Sequence, residues 1–170
     1  MMGGYTKEKK GEHPFGDAGQ LILLLVFLVV WVGDSFFLHQ STFLSDYVPL
    51  HIRLVFLGLT LIVATYLFVS GHVVVSDEQR PNRMVSTGAF RYVRHPLYLA
   101  SLLVYLGLTV STISFFSLAL FIVILIFHNY IAGYEEKLLM AKFGAEYSKY
   151  KNRTGKWIPR MGKERWKIEK

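Results

Sequence analysis

Two stretches of the 170-residue chain concentrate side chains that can do chemistry. The first, residues 87–100, reads TGAFRYVRHPLYLA and sets Arg91, Arg94, His95, Pro96 and Tyr98 at the mouth of an apolar run. The second, residues 127–144, reads FHNYIAGYEEKLLMAKFG. In it His128, Ala132, Glu135 and Glu136 fall at i, i+4, i+7 and i+8, along one side of a helix of about 3.6 residues per turn. A guanidinium, an imidazole and the start of a helix suit an anionic group. A pair of carboxylates suits an ammonium or hydroxyls. Together they would suit a zwitterionic ligand. A competing reading makes the acids interfacial carboxylates paired with Lys137, Arg91 or Arg94, and the arginines membrane-orientation anchors.

For the two stretches to act as one site, the elements carrying them must bring them to one face. Four apolar blocks stand out, at about 19–39, 52–75, 97–111 and 113–132, against the roughly 20 residues that a helix needs to cross a bilayer. The third is short, and only Ser111, Thr112 and Ser114 separate it from the fourth, so a tight helical hairpin is expected, with one re-entrant pair as the alternative. Such a hairpin returns the chain from His95 to His128, Glu135 and Glu136. Pro96 reads as the first residue of its helix, Gly88 as a turn that brings the loop back, Gly144 as a carboxyl cap, and Gly133 as room for close approach to the backbone.

The composition agrees with a membrane protein: 52% of residues are hydrophobic and gathered in blocks. Lysines near the amino end precede the run from Leu21, but no small-residue cleavage site follows, so a retained helix is expected rather than a leader peptide. The chain has no cysteine, which excludes thiolate chemistry and disulfides, and no histidine pair at metal-ligand spacing, so no metal is expected. The net charge of +7 points to anionic lipid headgroups rather than nucleic acid, because the basic residues flank apolar segments. With four spans, all but Arg53 of the 19 lysines and arginines fall on one side. That asymmetry predicts both termini and the site in the cytoplasm.

The expected fold is therefore an all-α integral membrane protein of about four transmembrane helices with a basic, helical cytoplasmic carboxyl-terminal segment. A single domain is expected over 1–170, with a tail at 1–17, two spans in 19–75, a loop at 76–96, and the hairpin and carboxyl-terminal part in 97–160. Asp34 and His39 lie towards the far end of the first helix, where snorkelling or a helix–helix hydrogen bond is expected; His51 is given no role, and His72 is expected to support the site from the second helix.

The segments TGAFRYVRHPLY, YEEKLLMAKFGAEYSKY and WIP, spread over about residues 85–159, resemble the membrane-integral methyltransferases that include isoprenylcysteine carboxyl methyltransferases and phospholipid methyltransferases. Ala89 departs from the proline expected in many relatives, which bears on the local turn. The resemblance implies a helical S-adenosylmethionine site, with S-adenosylhomocysteine as product, at the cytoplasmic end of the carboxyl-terminal helices. Carried over by motif, Arg94, His95, Pro96, Tyr98, Tyr134, Glu135 and Glu136 would hold the cofactor. Glu135, Glu136 and His128 are the catalytic candidates, and Arg91 and Arg153 candidate contacts to substrate or lipid. Tyr92, Tyr134 or Tyr147 could face the adenine or the cationic sulfur, and residues 145–160 would close over the cofactor.

The partners implied are the bilayer and a lipophilic or prenylated acceptor entering from it. Methyl transfer depends chiefly on alignment. A carboxylate acceptor needs no base, whereas a lipid amine must lose a proton to a glutamate or His128. An isoprenylcysteine-type carboxylate ranks first, ahead of a phospholipid amine. A NADPH-dependent reductase of the sterol-reductase type and a non-catalytic scaffold are the rivals from other classes.

Overall fold

The computed structural model describes residues 16–76 and 84–160. Among these, five α-helices carry the architecture: α1 Gly16–Val32, α2 Leu50–Ser76, α3 Pro96–Thr112, α4 Phe115–Phe143 and α5 Ala145–Arg153. A π-helical turn, Gly33–Leu38, prolongs α1, and short 3-10 turns occupy Ser45–Tyr47 and Gly88–Arg91. The amino-terminal lysines, Arg80, Arg83 and the end of the basic tail lie outside the described residues.

Among the described residues, three helices are long and apolar enough to cross a bilayer: Gly16–Leu38, Leu50–Val74 and Phe115–Phe143. Their outward faces carry large apolar side chains such as Val29, Ile62 and Ile126, each more than 60% exposed, as an integral membrane protein requires. The fourth apolar helix, α3, has 17 residues. At about 1.5 Å per residue it reaches about 25 Å, a little less than the roughly 30 Å hydrocarbon core. Its partner α4 has 29 residues and stands well proud of α3 at the end that carries the glutamates.

α3 is the centre of the bundle. One side packs Leu102 and Tyr105 against Phe27 of α1 and Ile124 of α4, with the Phe27 and Tyr105 rings edge to face at 4.8 Å. The other side sets Ala100 against Ala64 and Leu67 of α2. Small residues allow the close approaches: a Cβ on Gly107 would lie 2.3 Å from Thr60 Oγ1, and one on Gly19 2.4 Å from Phe127 Cζ.

The α3–α4 connection is as short as expected. Ile113, at φ +51°, turns the chain, and its N–H closes on Thr109 O at 2.9 Å. Ser114 then caps α4 by accepting from Ser117 N at 3.1 Å. This end of the bundle is fastened by Asp34, which is 2% exposed. Its carboxylate accepts from Ser41 N at 3.0 Å, Ser41 Oγ at 2.5 Å and Ser114 Oγ at 2.6 Å. Arg53 donates to Ser111 O at 2.9 Å and Val48 O at 3.0 Å, so its charge meets carbonyls at two loop ends. Asp34 thus makes the hydrogen bonds between elements expected of it, while His39 is exposed and ends the π turn at φ +51°.

At the opposite end the 3-10 turn tucks under α2. Gly88, at φ +57°, comes so near that a Cβ would meet Val74 Cγ2 at 2.8 Å and Ser70 O at 3.0 Å. Ala89, fully buried, makes the turn despite not being proline. Since Gly88 abuts the end of α2, Gly19 abuts Phe127, and α5 packs on this same corner, the first and last described residues share one end of the bundle with the glutamates.

Candidate functional site

The hairpin brings the two chemistry-bearing stretches together. His95 is the N-cap of α3 and Pro96 its first residue. Tyr98 lies about one turn on, with its ring stacked on that of His95 at 5.8 Å. Opposite them α4 presents Ala132 and Glu136 on its buried stripe, 0% and 7% exposed, with Glu135 on the flank of that stripe.

Glu136 is the hub. Its Oε1 accepts from Arg94 Nε at 2.9 Å and faces His95 Nε2 at 3.3 Å, while its Oε2 pairs with Lys151 Nζ at 3.1 Å. Glu135 accepts from the Tyr98 hydroxyl and lies 3.6 Å from His95 Nδ1. His95 therefore stands between the two carboxylates. Deeper along the α3–α4 interface, His128 is 2% exposed. Its Nδ1 lies 2.9 Å from Ile124 O and its Nε2 3.2 Å from Ser101 Oγ, and the edge of the ring system meets Tyr98 at 5.5 Å.

A cover is formed by α5 and the segment after it. Gly144, at φ +53°, ends α4 with its N–H on Met140 O, and the chain turns back. Tyr147 and Tyr150 bury themselves on the corner, and the Tyr150 hydroxyl donates to Phe90 O at 2.7 Å. Burial raises both phenols above the ordinary tyrosine range; the Glu136 charge adds to this and Arg94 opposes it. Arg94 binds the cover through its backbone N–H to Gly155 O at 2.9 Å and through Nη1 to Thr154 O and Lys151 O at 2.5 and 3.2 Å. Gly155 has no room for a side chain, since a Cβ would sit 1.7 Å from Ile158 O. Beyond it, Lys156 Nζ donates to Asn129 O and Oδ1 at 3.0 and 2.7 Å, and Trp157 sets its ring 5.7 Å from that of His95. Burial lowers the Lys156 ammonium below the usual lysine range; Glu136 opposes this and Arg94 and Lys151 add to it.

Of the residues expected at the site, Arg94, His95, Tyr98, Glu135 and Glu136 are in one contact network, and His128 adjoins it through Tyr98. Pro96 is buried with its ring towards α2, near Gly71, so its part is to start the helix. Tyr134, Arg91 and Arg153 are exposed. Tyr147 is packed into the corner, and His72 is exposed and stacked on Phe68. Gly133 has the room expected: the one close atom to a Cβ there would be Lys156 Nζ at 4.0 Å.

Sequence reasoning missed Lys151, Gly155, Ser101 and the Asn129–Lys156 pair. Two of these left a signal. Ser101 follows Tyr98 by three, and Lys151 follows Tyr147 by four, the spacings that share a helix face.

The family model described as phospholipid methyltransferase matches residues 50–146, more than half of the chain, from the start of α2 through the corner and the glutamates to the start of α5. The chain belongs to this family. Among curated proteins it is similar to the protein-S-isoprenylcysteine O-methyltransferase of Saccharomyces cerevisiae, 35% identical over 89 residues, which are 52% of this chain and 37% of that protein. It is also similar to the protein of the same name from Schizosaccharomyces pombe, 32% identical over 89 residues, 52% of this chain and 38% of that one. The matched stretch thus spans less than two fifths of either relative.

As a member of a methyltransferase family, the protein carries at this corner two carboxylates, a guanidinium, an imidazole and aromatic rings. This set can bind an ammonium and hydroxyls on one side and an anionic group on the other.

Proposed function

We propose that this protein is a membrane methyltransferase that uses S-adenosylmethionine to methylate a lipophilic acceptor, with an isoprenylcysteine-type carboxylate first among acceptors. The observation that carries this reading is the meeting of Arg94, His95 and Tyr98 with Glu135 and Glu136 at one end of the α3–α4 hairpin. The similarity to two yeast proteins named isoprenylcysteine O-methyltransferases supports the choice of acceptor. Neither a reductase nor a scaffold draws support from the comparisons.

The donor set fits the cofactor. Glu135 and Glu136 are the partners for its ammonium and ribose hydroxyls, Arg94 and His95 for its carboxylate, and Trp157, Tyr98 and His95 line the corner with aromatic faces. When bound, the cofactor supplies an electrophilic methyl group. The protein's part is to orient the reactants and exclude water, because alignment supplies most of the rate of such a displacement. The cover made by α5 and residues 154–158 serves the second task. A carboxylate acceptor attacks as it is, so no side chain need take a proton.

In this reading α3 is the fourth span, slightly short and accommodated by local thinning or tilt. The shared end of the bundle, with the site, faces the cytoplasm. The acceptor enters from the bilayer. The exposed Arg91 and Arg153 are contacts for its anionic group.

A second acceptor is supported by one observation. His128, buried beside Ser101 and edge to face with Tyr98, is the side chain that would take the proton of a phospholipid amine.

Calorimetric titration of the detergent-purified protein with S-adenosylhomocysteine tests the cofactor, with NADPH in parallel. Saturable binding of the first that is lost in Glu135→Gln/Glu136→Gln is expected; binding of NADPH alone would overturn the reading. Transfer of labelled methyl to a prenylated cysteine or to phosphatidylethanolamine then separates the acceptors.

A further inference from the structure

Glu136 is held by partners of two kinds. Arg94 and His95, on Oε1, have side chains 8% and 5% exposed. Arg94 is also tied to Thr154 O and Lys151 O, and His95 is flanked by the Tyr98 and Trp157 rings. Neither can leave without dismantling the corner. Lys151 is different: it reaches Oε2 from α5 with a side chain 44% exposed. Its backbone is fixed through Tyr147 and Tyr150, but its ammonium sits at the end of a flexible four-carbon stem. A buried carboxylate thus has one oxygen committed to the interior and the other covered by a cation that can swing away.

Resting on the cofactor reading above, we propose that Lys151 is a built-in stand-in for a ligand's ammonium: it neutralises Glu136 Oε2 and is displaced when an amino-acid ammonium takes its place. The exchange is one primary ammonium for another, so Glu136 Oε2 keeps a cationic partner while Oε1 stays on Arg94. Leaving that largely buried oxygen without a partner would be costly. The cover keeps its packing because only the side chain moves. Ligand affinity is then set by competition, and the subsite at Oε2 selects ligands carrying a primary ammonium next to their carboxylate.

The test is the affinity of wild-type, Lys151→Met and Lys151→Arg proteins for S-adenosylhomocysteine and for 5′-methylthioadenosine, which keeps nucleoside and sulfur but lacks the amino-acid end. A partly exposed ion pair is worth up to about 1 kcal/mol, so Lys151→Met is expected to bind S-adenosylhomocysteine about 2- to 5-fold more tightly. Methylthioadenosine should bind both alike, and Lys151→Arg should stay near wild type. Unchanged or weaker S-adenosylhomocysteine binding by Lys151→Met would overturn the latch while leaving the cofactor reading intact, as would equal tightening of both ligands. Failure of the wild-type protein to bind S-adenosylhomocysteine would overturn the cofactor reading and the latch with it.

Discussion

Arg94 and Glu136 stand 42 positions apart in the chain and meet through Nε and Oε1 at 2.9 Å, with side chains only 8% and 9% exposed. Removing one partner leaves the other charged and largely desolvated. Arg94→Met or Glu136→Gln alone should each cost about 3–5 kcal/mol of stability. The double variant should cost clearly less than the sum, because the two residues act as a unit. Thermal unfolding in detergent, followed by circular dichroism, measures all three; additive costs would show that the pair is not coupled.

Asp34 lies at the other end of the bundle and separates stability from ligand binding. Asp34→Ala leaves Ser41 N and the Ser41 and Ser114 hydroxyls without their acceptor. The expected loss is about 2–3 kcal/mol. S-adenosylhomocysteine affinity in the folded fraction should not change, which calorimetry below the unfolding temperature would reveal.

The contact between α2 and α3 depends on Gly107. A Cβ there would meet Thr60 Oγ1 at 2.3 Å and Leu57 Cδ1 at 3.0 Å, so Gly107→Val must push the helices apart. A loss of about 1–3 kcal/mol is expected. Thr60→Ala in the same chain should restore part of it. If Gly107→Val unfolded at the wild-type temperature, the close approach would be wrong.

Tyr147 and Tyr150 give the cover a pH limit. Burial raises both phenols above the ordinary value of 10.0. The folded protein therefore holds these protons more tightly than the unfolded chain does. Their contribution to stability is complete below about pH 10 and is lost as pH rises above it. Tyrosinate absorbance from these two residues should appear only together with loss of the folded signal. The Tyr147→Phe/Tyr150→Phe protein, with no phenol to ionise there, should show a shallower decline in stability above pH 10. A tyrosinate signal from this pair in still-folded protein would contradict their burial.

Much of the site was legible because helix periodicity and the hairpin are local facts. His128, Ala132 and Glu136 share a stripe by arithmetic, and the short break at Ser111, Thr112 and Ser114 points to a hairpin that returns the chain along α3. The exposed Tyr134 and the buried Tyr147 were not distinguishable in advance. Each is an aromatic beside charged residues, and only the course of the chain after Gly144 decides which one is covered. The same holds for Lys151 and Gly155, which reach the corner only because α5 folds back over it.

The order of residues by itself determined the apolar helices, the helix start at Pro96, the cap at Gly144, and the pairing of an Arg-His corner with two glutamates. These follow from bilayer length, backbone geometry and a spacing of about 3.6 residues per turn. The tertiary structure alone decided that α3, an apolar helix of only 17 residues, is the central one, that Glu136 rather than Glu135 is the hub, and that Asp34 fastens the far end. The reason is that burial and ion pairing are properties of what lies opposite a side chain. For Glu136 that is Arg94, brought from 42 positions away, and Lys151 from the helix beyond Gly144.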